Sequence, residues 1–531
     1  MVNMVKQPTV VAALLIAMLA AGCQPANKPA ENTPAKDAPA ATRAGATAPG
    51  SAQTPAANTQ TGTAAANRYG ALQFVPCTLS SGSAAGNIEA QCASLRVPEN
   101  PAAPTGRRID LKIAWLESDA GAGNKPDPVF FIAGGPGQSA TEAAAIAAAA
   151  LREVRKNRDI FLVDQRGTGG SHPMRCETAD GKPLQAGMAS SPEELKAYAQ
   201  QCAEGLQRHT DPRYYTTAEA IGDLDAVRAA LGAPRIDLIG VSYGTRVAQH
   251  YAKRYPAQTR AIVLDGVAPS DLVISGEFAR TFEDALILQS EQCRAIAACR
   301  ARFPTDVRTQ LRTVMDRLKT ESPEVEYRDL RTNAIKRDRV TADAVIGLAF
   351  TFSYAPQSAA LLPLVLDEAA AGRYAPLMAL SHMDMQINQP MQWSVVCAED
   401  ADRYRPAPAH QALLLGEDVP RSVFAACPVW PSGKRAADFT APLRSQVPAL
   451  LLSGQLDPVT PPRYADTVLK GLPNGRHLVA PGQGHSVMAL GCIPKLMAQF
   501  IETTNAGALD TRCVADLNNV PAFTSFNGWE P

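Results

Sequence analysis

Three residues far apart in the chain have the types and the surroundings needed for acyl transfer. Ser242 stands in "GVSYG", between Gly240 and Gly244 in the pattern GxSxG. The apolar run "RIDLIGV" before it and the helix-compatible "YGTRVAQHYAKRY" after it put the serine on a sharp strand-to-helix turn that exposes its hydroxyl. A serine hydroxyl becomes a useful nucleophile only when a histidine takes its proton, and the histidine needs a carboxylate to fix its tautomer and stabilise the imidazolium. The chain supplies both downstream, Asp457 after "ALLLSGQL" and His485 in "PGQGHSV". Asp265, closing "AIVLD", is an alternative acid. His477 falls at the start of a strand, and His172, His209, His250, His382 and His410 lack a strand-then-turn setting.

The tetrahedral intermediate of such a reaction needs two backbone N–H groups aimed at its oxyanion. Tyr243, directly after the serine, offers one. The "AGGPG" loop offers the other, from Gly134 or alternatively Gly135, where the missing side chain lets the backbone approach a substrate closely. Asp164 in "DQRG" reads as a brace for a glycine turn.

Positioning these residues requires a particular scaffold. Residues 109–118 alternate like a strand with one exposed face, whereas "DPVFFIAGGPG", "DIFLVDQRGTGGS", "RIDLIGVS" and "TRAIVLDG" are continuous apolar runs ending in glycine turns. Helical patterns lie between them: one after Ser139 as N-cap, one at residues 216–232 and one after Ser242. Buried strands alternating with helices predict an α/β fold with a mostly parallel sheet covered on both faces and its site at the carboxyl ends of the strands. Between residues 270 and 440 strand signals give way to helical patterns, which predicts a helical cap inserted over the sheet. The organisation expected is therefore core at 69–269, cap at 270–440 and core again at 441–531.

The 531 residues carry 51 basic and 51 acidic side chains, 46% hydrophobic residues and no long basic run. That balance predicts a globular protein with no nucleic-acid footprint. Residues 1–23 hold a lysine, an apolar stretch too short to span a bilayer comfortably, and "LAAGC". The stretch resembles a bacterial lipoprotein signal in which Cys23 becomes the lipid-modified N-terminus; a soluble secreted protein cleaved nearby is the alternative. Residues 24–68, rich in Ala, Pro, Thr and Gly, read as a disordered linker. Ten cysteines remain, an even set that suits an exported, disulfide-bonded protein. Loop-closure entropy favours the short pairings 77 with 92, 176 with 202, 293 with 299, 397 with 427 and 492 with 513. None has zinc-site spacing, and no metal or cofactor is expected.

Taken in order, "AGGPG", "DQRGTGGS", "YTTAEAIGDLDAVRAALG", "GVSYGT", "SGQLDPVTP" and "GQGHSV" resemble the prolyl and tripeptidyl aminopeptidase group of α/β-hydrolase serine peptidases. The resemblance covers roughly residues 69–516, and the tail with Cys492 and Cys513 is similar to the C-terminal region of the tripeptidyl branch. Ala133 stands where prolyl aminopeptidases have histidine, and Tyr243 where their elbow has tryptophan. The resemblance implies an α/β-hydrolase fold and cleavage of peptides from a free N-terminus, whose ammonium needs an acidic partner. Glu399 and Asp400, beyond Cys397 in "VVCAEDADRY", are the candidates; the other reading is a solvated acidic turn beside a disulfide. The expected protein is a serine aminopeptidase of the cell envelope, held to a membrane by its lipid or secreted. An esterase of the same fold and a catalytically silent envelope-binding protein are the alternatives.

Overall fold

The computed structural model describes residues 67–80, 86–121, 127–178, 180–184, 191–330, 332–381 and 387–527. The signal segment with Cys23, nearly all of the linker, and His382 lie outside them. The strands are β1 (Asn67–Tyr69), β2 (Leu72–Ser80), β3 (Asn87–Pro98), β4 (Arg108–Leu116), β5 (Val129–Ile132), β6 (Ile160–Val163), β7 (Ile236–Val241), β8 (Thr259–Asp265), β9 (Glu324–Arg328), β10 (Ile335–Arg339), β11 (Ala449–Gly454) and β12 (Gly475–Ala480). Ten of them form one sheet in the order β1-β2-β3-β4-β6-β5-β7-β8-β11-β12. β1 to β4 and the β4–β6 pair run antiparallel, and from β6 to β12 every neighbouring pair is parallel.

The apolar runs become the buried parallel strands for a simple reason. With helices on both faces, successive side chains of a strand enter different cores. Phe130 and Ile132 of β5, Leu238 of β7 and Leu451 of β11 join one apolar cluster, while Val129, Phe131, Ile239, Leu450 and Leu452 join the other. Each fully buried side chain of this size contributes about 1.5–3 kcal/mol by leaving water. At the junction with the antiparallel strands, Tyr69, Phe74, Trp115 and Phe161 pack in edge and stacked contacts, and Trp115 Nε1 donates to Asp159 Oδ1 at 2.9 Å.

The helix Thr217–Ala230 carries a reciprocal capping box between Thr216 and Glu219. The helix expected from Ser139 starts later, as Ala144–Ala150, followed by Arg152–Arg155. Ser139 Oγ still accepts from the Glu142 N–H at 3.0 Å, but it also donates to Asp164 Oδ1 at 2.8 Å, and turns fill the gap before the first helical residue.

The inserted region departs from a purely helical cap in two ways. β9 and β10 form an antiparallel hairpin within it; β10 is mostly charged and exposed throughout, while β9 alternates, turning Val325 and the buried Tyr327 onto the insertion's own core. The region also divides between two cores: Phe282, Leu311, Val345 and Val365 form their own cluster, whereas Trp393, Val395, Val396 and Trp430 pack into a cluster of the central sheet. The helix Gln389–Glu399 thus belongs with the sheet. The five expected disulfide pairings are formed.

Close packing leaves no room for a side chain at Gly244 of the elbow. A Cβ on Gly244 would run into the carbonyl oxygens of Ile132 and Ala133 at the end of β5, the latter at 2.6 Å. Gly222, inside the helix Thr217–Ala230, has open space at the same position. Urea unfolding with the disulfides intact should therefore show Gly244→Ala destabilised by ~1–3 kcal/mol and Gly222→Ala stabilised by ~0.5–1 kcal/mol. Equal effects would contradict this packing.

Candidate active site

β7 ends at Val241, the helix Tyr243–Arg254 begins two residues on, and Ser242 between them has φ 56° and ψ −121°. A side chain at this positive φ is strained by ~1–3 kcal/mol and persists only where neighbours over-determine it. They do so here. The Ser242 N–H donates to the Asp265 carbonyl at 2.8 Å, and Thr245 donates to the Ser242 carbonyl from its N–H at 2.9 Å and its Oγ1 at 2.6 Å.

His485 reaches the same corner from the loop after β12. Its Nδ1 lies 2.8 Å from Asp457 Oδ2. Asp457 Oδ1 accepts from the N–H groups of Val459 and Thr460 at 2.9 and 2.8 Å, and Oδ2 accepts from Thr460 Oγ1 at 2.8 Å. Burial alone would raise the Asp457 carboxyl; His485 and these donors outweigh it and hold the group below the usual carboxylate value. Burial likewise disfavours the imidazolium, but the Asp457 charge and hydrogen bond more than offset it, so His485 sits above its ordinary 6.5. An Nδ1–H given to Asp457 leaves Nε2 as the free base. Among the described residues no hydrogen bond joins Ser242 Oγ to His485; such contacts tighten when substrate binds.

Asp265, the alternative acid, has a different task. Its buried carboxylate accepts from Ser486 Oγ at 2.7 Å and from the N–H groups of Val487 and Met488, both at 2.9 Å. It fixes the loop that carries His485 and does not touch the ring Nδ1, which is taken by Asp457. A Cβ on Gly266 would come within 2.9 Å of the His485 ring, so glycine lets the chain pass beneath the imidazole. The inserted region supports the histidine from the other side: the Tyr354 carbonyl accepts from the His485 N–H at 2.7 Å, and the two rings meet edge-on at 5.2 Å. Thr460, Tyr354 and the bracing role of Asp265 were not legible in the sequence, although "DPVTP" placed Thr460 three residues after the acid.

Ser242 opens onto a cavity of about 190 Å³. Tyr243 and Gly135 line it, with Leu272, Ile274, Phe278, Phe350, Ile387, Val419 and Val423 forming an apolar wall. The Tyr243 N–H, first in its helix, has no intrahelical acceptor. Gly134 packs against the Ser242 Cβ, and Gly135 is the loop residue on the cavity wall.

Glu399 and Asp400, expected to meet a substrate amine, are not brought to the lining of this cavity. They are 1% and 0% exposed and fully engaged. Glu399 accepts from the Thr217 N–H at 2.7 Å and Thr217 Oγ1 at 2.9 Å; Asp400 accepts from Arg246 at 3.1 Å and from Arg403 at 2.5 Å. Burial pushes the Glu399 carboxyl up to about 7, with Arg246 opposing. A solvated acidic turn is equally excluded. Asp164 braces its turn as expected, accepting from Ser139, Thr141 and the Gly170 N–H. His477 is held by Asp466 and Ser453. Among the described residues no three His, Cys, Asp or Glu side chains are grouped to hold a metal ion, and no helix is long and apolar enough to cross a membrane.

Comparison with known proteins agrees with this architecture. The α/β hydrolase fold family matches residues 127–289, and the TAP-like protein family matches residues 412–513. Serine protease Hip1 of Mycobacterium tuberculosis is 26% identical over 468 residues, spanning 81% of this chain and 88% of the relative. Tripeptidyl aminopeptidase of Streptomyces lividans is 29% identical over 33% of this chain and 35% of its own length. Proline iminopeptidase of Neisseria gonorrhoeae is 29% identical over 29% and 36%. A parallel sheet of this order, a hydrolase-fold segment followed by a TAP-like one, and likeness to a serine protease through most of the chain mark this protein as an α/β-hydrolase serine peptidase similar to the tripeptidyl aminopeptidase group.

Proposed function

We propose that this serine peptidase is an exported aminopeptidase that releases short peptides or single residues from free N-termini through an acyl-enzyme on Ser242. The observation that carries the chemistry is the strained Ser242 on its elbow, lining one cavity with Thr460, whose hydroxyl contacts both members of the His485–Asp457 pair. Ser242 Oγ attacks the scissile carbonyl carbon while His485 Nε2 takes its proton and Asp457 stabilises the imidazolium. The N–H of Tyr243 and one from the Gly134–Gly135 loop receive the oxyanion. Collapse breaks the C–N bond, His485 returns the proton to the leaving amine, and water then repeats the sequence to free the acyl group. No cofactor enters these steps.

Preference for a free N-terminus is supported by the names of the tripeptidyl aminopeptidase and proline iminopeptidase relatives. Five disulfides support an oxidising compartment, and the signal-like residues 1–23 support export with lipid attachment at Cys23. The apolar wall supports uncharged acyl side chains. Because no carboxylate lines that wall among the described residues, an esterase acting on a small apolar acyl group is the second reading.

A matched panel separates the two. Free-amine aminoacyl and tripeptidyl coumarin amides, their N-acetylated forms and a short-chain ester are assayed with wild type and Ser242→Ala. The aminopeptidase reading expects cleavage of the free-amine amides only, lost in the alanine variant; ester cleavage alone, or indifference to acetylation, would overturn it. The pH profile of kcat/KM supplies a second check. The base must be neutral, so activity should rise through a midpoint above 6.5, the ordinary imidazole value. Asp457→Asn should move that midpoint down, since burial is then opposed only by the lesser effect of the Asp265 charge, and cut kcat by ~10³–10⁴.

A further inference from the structure

The buried acids Glu399 and Asp400 end the helix Gln389–Glu399, which the Cys397–Cys427 disulfide fastens to the segment carrying Val419 and Val423 of the cavity wall. Their partners run toward the catalytic corner along two lines. In the first, Thr217 Oγ1 donates to Glu399 Oε2 at 2.9 Å and lies 2.8 Å from Tyr243 Oη. A hydroxyl has one proton. With the threonine proton committed to the carboxylate, Tyr243 must donate to Thr217, and Tyr243 Oη in turn accepts from Gln165 Nε2 at 3.2 Å. With Glu399 ionised, the chain runs from Gln165 to Tyr243 to Thr217 to Glu399. In the second line, Arg246 of the elbow helix pairs with Asp400 and donates to the Leu272 carbonyl, while the Ile274 N–H donates to Asp400 Oδ2 at 3.3 Å. Leu272 and Ile274 are cavity wall.

From this geometry we infer that Glu399 is a positioning residue for acyl transfer, acting through Thr217 on Tyr243, the residue whose backbone N–H faces the oxyanion. The inference rests on Ser242 being the nucleophile. Tyr243 is held at two points, at its backbone by the strained elbow and at its hydroxyl by the Thr217–Glu399 relay. Losing the second point lets the ring and its peptide plane relax, because a buried hydrogen-bond chain acts cooperatively and small misplacements of oxyanion donors are costly. Asp400 and Arg246 hold the wall opposite by the same logic. The consequence is a role that does not depend on a substrate amine.

Thr217→Val removes the relay hydroxyl at nearly constant shape, Thr217→Ser restores it, and Glu399→Gln keeps the side-chain volume while removing the charge. In the full chain, each variant is assayed with a free-amine peptide amide and an amine-free acyl ester, alongside the rate of fluorophosphonate labelling of Ser242 and the thermal midpoint. Thr217→Val and Glu399→Gln should lower kcat on every substrate the wild type turns over, and the labelling rate, by a common factor of ~10. KM should stay within about twofold, with Thr217→Ser recovering most of the loss. A rise in KM confined to the free-amine substrate would overturn the inference and return Glu399 to amine recognition; unchanged labelling and kcat in folded variants would overturn it as well. Should Thr217→Val fail to fold, Glu399→Gln and Thr217→Ser carry the same comparison. Failure of the wild type to be labelled would instead defeat the reading of Ser242, and the positioning role with it.

Discussion

Asp265 joins the two halves of the proposed catalytic corner. Its backbone carbonyl holds the N–H of Ser242, and its carboxylate holds residues 486–488, next to His485. A carboxylate buried at the end of β8 is costly unless its acceptor sites are filled, and filling them pins the histidine loop to the strand beside the nucleophile. Burial raises this carboxyl while the Val487, Ser486 and Met488 donors oppose the shift. The spacing of serine and histidine thus follows from one strand end, with Gly266 clearing room for the imidazole above it.

Around that point the corner is assembled from distant parts of the chain. The sheet supplies Ser242, Asp457 and the glycine loop, and the insertion supplies the Tyr354 carbonyl behind His485 and most of the apolar wall. The insertion therefore braces the histidine as well as roofing the cavity. Beneath the elbow, the near-neutral cluster of the buried Arg246, Glu399 and Asp400 with the partly exposed Arg403 ties helix, wall and insertion together. Such clusters contribute specificity of arrangement more than net stability.

Much of this was legible in the sequence because it depends on local pattern. Continuous apolar runs ending in glycine turns marked β5 to β8, and the order of Ser242, Asp457 and His485 marked the residues of the proposed corner. The short cysteine spacings marked the disulfides. What stayed hidden depends on long-range contact. β2 and β3 mix polar and apolar residues and gain their place by pairing with β4. In the hairpin β9–β10, β10 is exposed and mostly charged, and the alternation of β9 spans only five residues. Glu399 and Asp400 looked like a solvent-facing or substrate-facing pair because nothing near them in sequence reveals Thr217 and Arg246 as partners.

The central claim is that Ser242 forms a covalent acyl intermediate in this corner, and trapping that intermediate tests it most directly. Wild-type protein is mixed with an activated ester of a small apolar acyl group, quenched in acid within the turnover time, digested and mapped by tandem mass spectrometry. The account predicts a single acyl group on the peptide carrying Ser242, absent from Ser242→Ala and strongly reduced in His485→Ala. Acylation of a different residue, or turnover of the ester with Ser242 never modified, would contradict it.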